Sequence, residues 1–432
     1  DGEMRQRKVK VNRISRLADD RALALAASPV RVEAPVPGKA IVGLEVPNKE
    51  PAIVDLLSVM ASDAFRAIAS SHLAIGLGRD VSGAPVVDDI GTLPHLLIAG
   101  ATGSGKSVCI NAMIACLLSR NIPADLKLLL IDPKRVELSV YDGIPHLLSP
   151  VITDVDEVVS VLEWITHEMD RRYKAFARVG ARNIKSYNAL AGERGMRRLP
   201  FIVGFIDELA DLMLAASDRV ERAICRIAQM ARATGIHLVI ATQRPSVDVV
   251  TGTIKANFPA RISFAVSSLT DSRVVLDKPG AETLLGEGDG LYMAPDTSEL
   301  VRMQGCYVSD EEIARLVRFW KRQASTRTER QTAARPTPLA PESLEQEALW
   351  PSMEEREKVS EKDPLLERAM AFVVTKERAS LTMLQKEFSI GYTRAGRIMD
   401  AMEKRGVVGP PTGTSKARQV LSQSTKRQGA HD

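Results

Sequence analysis

The stretch Gly100-Ala101-Thr102-Gly103-Ser104-Gly105-Lys106-Ser107 constrains this chain more than any other. It fits G-x-x-x-x-G-K-[ST] and lies between an apolar run, His95 to Ala99, and a helical pattern, Val108 to Leu118. A strand that runs through a glycine-rich turn into a helix is the context in which this spacing binds phosphate. The glycines let the backbone bend until consecutive N–H groups converge, and the helix that follows aims its positive end at the same point. Lys106 then reaches the β- and γ-phosphate oxygens, and Ser107 is placed to ligate Mg2+. The expectation is an α/β protein that binds a nucleoside triphosphate with Mg2+ in the cradle from Gly100 to Ser107.

A second stretch completes such a site. Phe201-Ile202-Val203-Gly204-Phe205-Ile206-Asp207-Glu208 reads as a buried strand ending in two carboxylates. On its own it would read as well as a helix start; beside a phosphate loop, Asp207 is expected in the Mg2+ shell, and Glu208 is expected to orient or deprotonate the attacking water. One strand, ending at Asp132, intervenes in the chain, which is the order of P-loop ATPases that carry a catalytic glutamate. Gly204 interrupts the strand where a β-branched residue would pack better, and it has no functional reading. Asn48-Lys49-Glu50-Pro51 fails the N-K-x-D pattern of guanine readers, so ATP is the expected nucleotide. The run Ile236 to Ala241 leads into Thr242-Gln243-Arg244, where Gln243 is either a γ-phosphate sensor or a polar residue closing a strand. Arg232 sits at a helix end, where a cation is favoured in any case. Its alternative role is an arginine finger on a neighbouring subunit's ATP.

At 432 residues, 45% hydrophobic and 26% charged, the chain has room for two or three domains. No apolar run approaches the 18 residues of a membrane span. Cys109, Cys116, Cys225 and Cys306 form no C-x-x-C pair and read as buried hydrophobes, and no H-E-x-x-H occurs, so no protein-ligated metal is expected. His237, inside an apolar run, reads as a satisfied core residue. Because the sequence starts at Asp1, it is expected to be a piece of something longer.

Residues 1–75 read as a small α+β subdomain, with a helical pattern from Leu17 to Ala27 and strand-like runs on either side of Pro35-Val36-Pro37-Gly38. The alternation Lys8 to Val11 fits a half-exposed strand or a nucleic-acid patch, the strand being favoured. Residues 76–322 alternate strand-like and helix-like segments, with strands expected at His95–Ala99, Lys127–Ile131, Phe201–Ile206, Ile236–Ala241 and Arg261–Val266. Later runs at Gly290–Met293 and Val301–Val308 are expected to extend the sheet antiparallel. Residues 323–362, with Pro336, Pro338, Pro341 and Pro351, read as a flexible linker.

Residues 363–425 then read as a winged helix-turn-helix, the alternative being a protein-docking helical bundle. Its helices are expected from Asp363-Pro364 through Thr375, over Leu381–Glu387 and over Thr393–Lys404, with wing strands at Gly406-Val407-Val408 and Val420-Leu421. The chain carries net charge +4, and residues 391–432 hold eight positive and three negative charges, so the basic excess lies in this module. Arg394 and Arg397 lie three apart near the start of the third helix, hence on one face, where Arg forks match guanine O6 and N7. Lys416 and Arg418 on the wing are expected at phosphates.

The chain resembles the FtsK/SpoIIIE family of DNA translocases. The stretches that carry the resemblance are IAGATGSGKSVCINAM, LLLIDPKRVELSVYDGIPHL, FIDELADLM, ICRIAQMARATGIHLVIATQRPSVDVVTGTIKANFPARI and DSRVVLDKPGAETLLGEGDGLYM. They fall within residues 1–322, and the likeness resumes over 363–421. The resemblance implies a RecA-like P-loop ATPase core, ring hexamers that pump double-stranded DNA, and a γ winged helix reading G-rich orienting sequences. It makes Arg232 the trans finger and Gln243 the sensor, and points Arg244, Lys255 and Arg273, on loops at strand ends, toward DNA. It further implies chromosome segregation at division, activation of XerC/XerD-type tyrosine recombinases, and a cytoplasmic portion of a protein anchored in the inner membrane at the septum, with no membrane contact by this stretch itself. The rivals are a conjugative or secretion-type coupling ATPase and an ATP-regulated DNA-binding protein without motor activity.

Overall fold

A computed structural model describes residues 30–33, 41–48, 50, 52–333, 365–376, 378–388, 392–409 and 417–420. They divide into two compact units, residues 1–349 and 350–432. The expected helix Leu17–Ala27, the Lys8–Val11 run and the turn at Pro35–Gly38 lie outside the described residues.

In the first unit, β1 (Arg31–Glu33) and β2 (Gly43–Glu45) pair antiparallel, Arg31 opposite Glu45, on either side of that turn. Short helices α1 (Leu56–Met60) and α2 (Asp63–Ile68) follow, each capped by a side chain, Asp55 and Ser62 respectively. The chain then enters a nine-stranded sheet. Its strands are β3 (Ala74–Asp80), β4 (Pro85–Asp89), β5 (Leu96–Ala99), β6 (Leu126–Ile131), β7 (Phe201–Ile206), β8 (Ile236–Thr242), β9 (Ala260–Phe264), β10 (Asp289–Met293) and β11 (Leu300–Gly305). They lie in the order β4-β3-β11-β10-β9-β5-β8-β7-β6.

The strands β9, β5, β8, β7 and β6 are mutually parallel, and beyond β9 the strands β10, β11, β3 and β4 each pair antiparallel with the one before. Every residue of β5, β7, β8 and β9 is buried. That is why these strands read as continuous apolar runs: helices cover both faces, and no solvent-facing position breaks the pattern. The helices are α3 (Lys106–Arg120), α4 (Val155–Val179), α5 (Ile184–Glu193), α6 (Leu209–Met230), α7 (Gly252–Asn257), α8 (Leu269–Leu276) and α9 (Asp310–Ala333). α4 shows how the sequence bounds such a helix. The Asp154 side chain accepts the Asp156 N–H at its start, and Gly180 ends it in the left-handed region at φ 74°.

Sequence and structure differ at three places in this unit. The hairpin β3–β4 was not expected, and the boundary at 75 falls inside β3. Gly76 and Gly78 hide that strand's apolar pattern; Gly78 is required because a Cβ there would run into the Gln304 carbonyl of β11, beside a register shift between the two glycines. The last helix passes residue 322 and runs to Ala333, for no proline occurs there before Pro336. Lys255 and Arg273 lie on the short helices α7 and α8, not on loops; Thr251 and Ser268 cap these helices, accepting the Ile254 and Asp271 N–H groups.

The second unit contains α10 (Leu366–Lys376), β12 (Arg378–Ser380), α11 (Leu381–Phe388), α12 (Tyr392–Lys404) and β13 (Ala417–Gln419). β12 pairs antiparallel with β13, and Val408 bridges Val420. The expected wing strands thus keep only that isolated bridge, and the paired strands are β12, three residues long and too short to announce itself in sequence, and β13, which reaches into the stretch expected to join the wing strands. Leu366, Ala369, Val373, Leu384, Ala395, Ile398, Met399 and Met402 form the core of the helices.

Candidate functional site: a phosphate loop facing paired carboxylates

The loop after β5 is pinned to both neighbouring strands: Gly100 N–H donates to Thr242 O at 3.2 Å, and Ala101 N–H to Ala265 O at 2.9 Å. Gly103 and Gly105 take φ 77° and 111°, left-handed values that a side chain would strain. At Gly105 a Cβ would also come within 2.6 Å of the Gly288 backbone. The loop feeds directly into α3, whose first residue is Lys106 and second Ser107.

Lys106 turns inward and is buried. Its Nζ donates to the Asp207 carboxylate Oδ1 at 2.5 Å and to the Asp207 carbonyl at 2.8 Å. Asp207, at the tip of β7, is 1% exposed, and its other oxygen, Oδ2, is buried without a hydrogen-bond partner. A desolvated carboxylate oxygen with no donor is costly unless something completes it. An oxygen ligand of this kind suits a hard divalent cation such as Mg2+. Among the described residues no three His, Cys, Asp or Glu side chains gather into a group that could hold a metal ion.

Glu208 caps α6 and is also 1% exposed, but both its oxygens have hydrogen-bond donors. Oε1 accepts from Thr242 Oγ1 at 2.7 Å and from Ala210 N–H at 3.3 Å; Oε2 accepts from Lys134 Nζ at 3.0 Å; Gln243 N–H lies 3.2 Å from both. Burial alone would raise its pKa, yet the hydrogen bonds from Thr242 and Lys134 and the Lys134 charge outweigh that, and the carboxyl is held below its ordinary value. Glu208 is therefore a fixed carboxylate at neutral pH. Gln243 adjoins it, with Oε1 accepting from Thr102 Oγ1 of the phosphate loop at 3.2 Å.

The strand order explains the gathering. β8 lies between β5 and β7, so Thr242 and Gln243 at its tip stand between the phosphate loop and the two carboxylates. In the chain the intervening strand is β6, which in space is the sheet edge. Its Asp132 does structural work, accepting N–H groups of Lys134, Glu137 and Leu138 and thereby shaping the loop that presents Lys134. Lys134 and Thr242 are site residues the sequence reading missed. The signal for Thr242 was its place next to Gln243; Lys134 had none, because its loop leaves a different strand.

Arg232 lies exposed in a one-turn 3-10 helix, Arg232–Thr234, just beyond α6, away from this chain's own Glu208 cluster. Arg244 is exposed next to Gln243. Lys255 is engaged: its Nζ meets Asp277 at 2.7 Å, and Asp277 also binds Arg261 at 2.6 Å. Arg273 is exposed on α8. In the second unit Arg394 and Arg397 fall in α12, and Arg418 in β13; their side chains and Lys416 lie outside what is described.

Five parallel strands with the phosphate loop at a central one, a buried Lys106–Asp207 pair and an ordered glutamate define a P-loop ATPase of RecA-like fold. Solved structures agree. The pCW3 conjugation coupling protein TcpA, in a monomer form with ATPγS, is 26% identical, with TM-score 0.55 over 72% of this chain and 87% of its own. The cytoplasmic domain of the Thermomonospora curvata type VII secretion ATPase EccC is also 26% identical, with TM-score 0.56 over 63% of this chain and 34% of that one. Family models match in three places: the FtsK/SpoIIIE family over residues 55–247, the FtsK gamma domain over 360–423 and the FtsK alpha domain over 4–48. The DNA translocase FtsK of Oceanobacillus iheyensis is 51% identical over 420 residues, and the DNA translocase SpoIIIE of Bacillus subtilis 49% identical over 424. These alignments cover 96% and 97% of this chain but 51% and 52% of the relatives, so the chain spans about half their length. The chain belongs to the FtsK/SpoIIIE family.

Proposed function

We propose that this chain is the motor and DNA-reading portion of an ATP-driven double-stranded DNA translocase acting in chromosome segregation at cell division. The observation that carries the reading is the convergence of Lys106, Asp207, Glu208 and Gln243 at the carboxyl ends of the strands, in a chain that also holds a winged helix. ATP occupies the cradle from Gly100 to Ser107, with Lys106 leaving Asp207 for the β- and γ-phosphate oxygens. Ser107 and Asp207 would hold Mg2+, which would supply neutralisation of charge on those oxygens. Glu208, fixed by Thr242 and Lys134, orients the attacking water and takes its proton. Gln243, already bonded to Thr102, reports the γ-phosphate to the Arg244 loop. Arg232 is exposed, as a finger for a neighbour's ATP requires, and serves in a ring of six, the assembly the family resemblance implies.

Arg244, Lys255 and Arg273 contact duplex DNA, and Lys255 exchanges Asp277 for phosphate. Residues 1–75 serve as the α subdomain, 76–322 as the β subdomain, 323–362 as linker and 363–425 as the γ winged helix. In that winged helix Arg394 and Arg397 read guanines, while Lys416 and Arg418 hold phosphates. The same module meets tyrosine recombinases of the XerC/XerD type, and the longer protein is anchored in the inner membrane at the septum. Among the described residues no helix is long and apolar enough to cross a membrane.

Likeness to the coupling protein TcpA favours a second reading, a conjugative coupling ATPase that moves single strands. Steady-state ATPase with duplex DNA, with single-stranded DNA and with none separates them. Stimulation by duplex alone is expected; preference for single strands would favour the coupling ATPase, and indifference to DNA would sink the motor reading.

A further inference from the structure

The loop Gly286-Glu287-Gly288 leans on the phosphate loop from the antiparallel side of the sheet. Gly288 N–H donates to Ser104 O at 2.9 Å, and Gly305 N–H holds Gly288 O at 2.7 Å. All three residues are left-handed, with φ 83°, 50° and 93°. For Glu287 that conformation is strained, and it persists only where the surroundings impose it. Gln304 Nε2 imposes part of it, donating to Glu287 O at 2.7 Å.

The rest comes from one arginine. Arg302 on β11 grips Asp289 with two prongs, Nε to Oδ1 at 3.0 Å and Nη2 to Oδ2 at 2.7 Å, and Asp289 Oδ2 in turn accepts the Leu285 N–H at 2.9 Å. Asp289 thus clamps both ends of the loop. The third prong, Nη1, reaches Glu45 of the small β1–β2 sheet at 2.6 Å. Arg302, Asp289 and Glu45 are 13%, 8% and 16% exposed, so the network is shielded from water and its charge-assisted bonds are strong.

We propose that Arg302 is a positioning residue for the phosphate loop, acting through Asp289 and Gly288, and that its bond to Glu45 couples the β1–β2 sheet to nucleotide binding. Binding that tightens the Ser104–Gly288 contact tightens the clamp, and the clamp steadies Glu45. By reciprocity, displacing β1–β2 loosens the phosphate loop. The same forked geometry explains an arginine here, since a lysine's three donors sit on one nitrogen and cannot pair both Asp289 oxygens while reaching Glu45.

The inference rests on reading Gly100–Ser107 as the nucleotide site, and its test keeps the two apart. Affinity for a fluescent-labelled ATP analogue with Mg2+ is measured by equilibrium titration, and hydrogen exchange at residues 43–45 is followed with and without nucleotide, in the wild type, Arg302→Met, Arg302→Lys and Glu45→Gln. Arg302→Met is expected to weaken nucleotide about tenfold, with Arg302→Lys in between. Glu45→Gln is expected to bind within about threefold of the wild type but to lose the nucleotide-dependent slowing of exchange at 43–45. If the wild type binds no nucleotide, the reading of the site itself fails. If the wild type binds and exchange at 43–45 ignores nucleotide, or if all variants match the wild type in both measurements, the coupling is overturned. Should Arg302→Met fail to fold, Glu45→Gln decides alone, by whether exchange still responds to nucleotide.

Discussion

At the carboxyl ends of β5, β7 and β8 the protein buries Lys106, Asp207 and Glu208; at the amino ends of β5 and β8 it buries His95 and His237. The two imidazoles are as dry as the carboxylates. Leu238 N–H donates to His95 Nδ1 at 3.0 Å, and His237 Nδ1 lies 2.8 Å from the Pro94 carbonyl, to which it donates. Burial pushes His95 down to about 3, the nearby His237 adding to the fall, and burial pushes His237 down to about 4. Both rings are neutral at pH 7. The amino end meets burial by giving up charge, whereas the carboxyl end keeps charge by pairing it; each end leaves one buried atom without a hydrogen-bond partner, a neutral ring nitrogen, His95 Nε2, at the first and a carboxylate oxygen, Asp207 Oδ2, at the second. The contrast teaches where to look for chemistry: a fold that can neutralise its buried groups retains ionised ones where a ligand completes them.

The largest test attacks the charged end. Lys106→Ala is expected to lower ATP turnover at least about 10^3-fold and, by leaving Asp207 buried without its cation, to cost about 3 kcal/mol of stability. Glu208→Gln is expected to lower turnover by about 10^2- to 10^4-fold while nucleotide affinity holds. Steady-state ATPase, nucleotide titration and urea unfolding read these; if nucleotide affinity collapsed in Glu208→Gln, the carboxylate would belong to binding and not to the water.

The neutral end is tested by acid. Because His95 and His237 have folded pKa values below the unfolded 6.5, the folded state binds fewer protons, so their stabilisation is present above pH 6.5 and lost as pH falls toward 4. Each should steepen the loss by about 1.4 kcal/mol per pH unit in that window. His237→Asn, which keeps a donor for Pro94 O, should flatten the urea-unfolding profile between pH 6.5 and 5; an unchanged slope would mean that His237 titrates normally.

A smaller effect separates positioning from pairing at the charged end. Lys134→Met should lower turnover about tenfold with little change in nucleotide affinity, since it removes only one of the hydrogen bonds that fix Glu208, and Lys134→Arg should restore most of it. Smallest of all is Gly204→Ala, midway between the two ends. Its Cβ would lie 2.9 Å from Leu238 Cδ2, a movable methyl, so a cost of about 1 kcal/mol in thermal unfolding is expected, with ATPase unchanged. A turnover defect there would show that the strand's packing reaches the site.

Much of this was legible in the chain. Short-range chemistry fixes the phosphate loop, the paired carboxylates, the five buried parallel strands and the three helices after residue 363, because each rests on residues close in sequence: a turn that needs glycine, a strand dry on both faces, a helix with one apolar stripe. Gly204 had looked like a flaw by the same local rule, and only its neighbour Leu238 gives it a reason. What tertiary structure alone decided is which tips stand together. Strand order put β8 between β5 and β7 and sent β6 to the edge, so Thr242 reached Glu208 across 34 residues and Lys134 across 74. It also set Arg302 against Glu45, 257 residues away. No local pattern encodes such partners, since a lysine on a polar loop reads the same whether it meets water or a buried carboxylate; the difference is made by the desolvation that only the assembled sheet imposes.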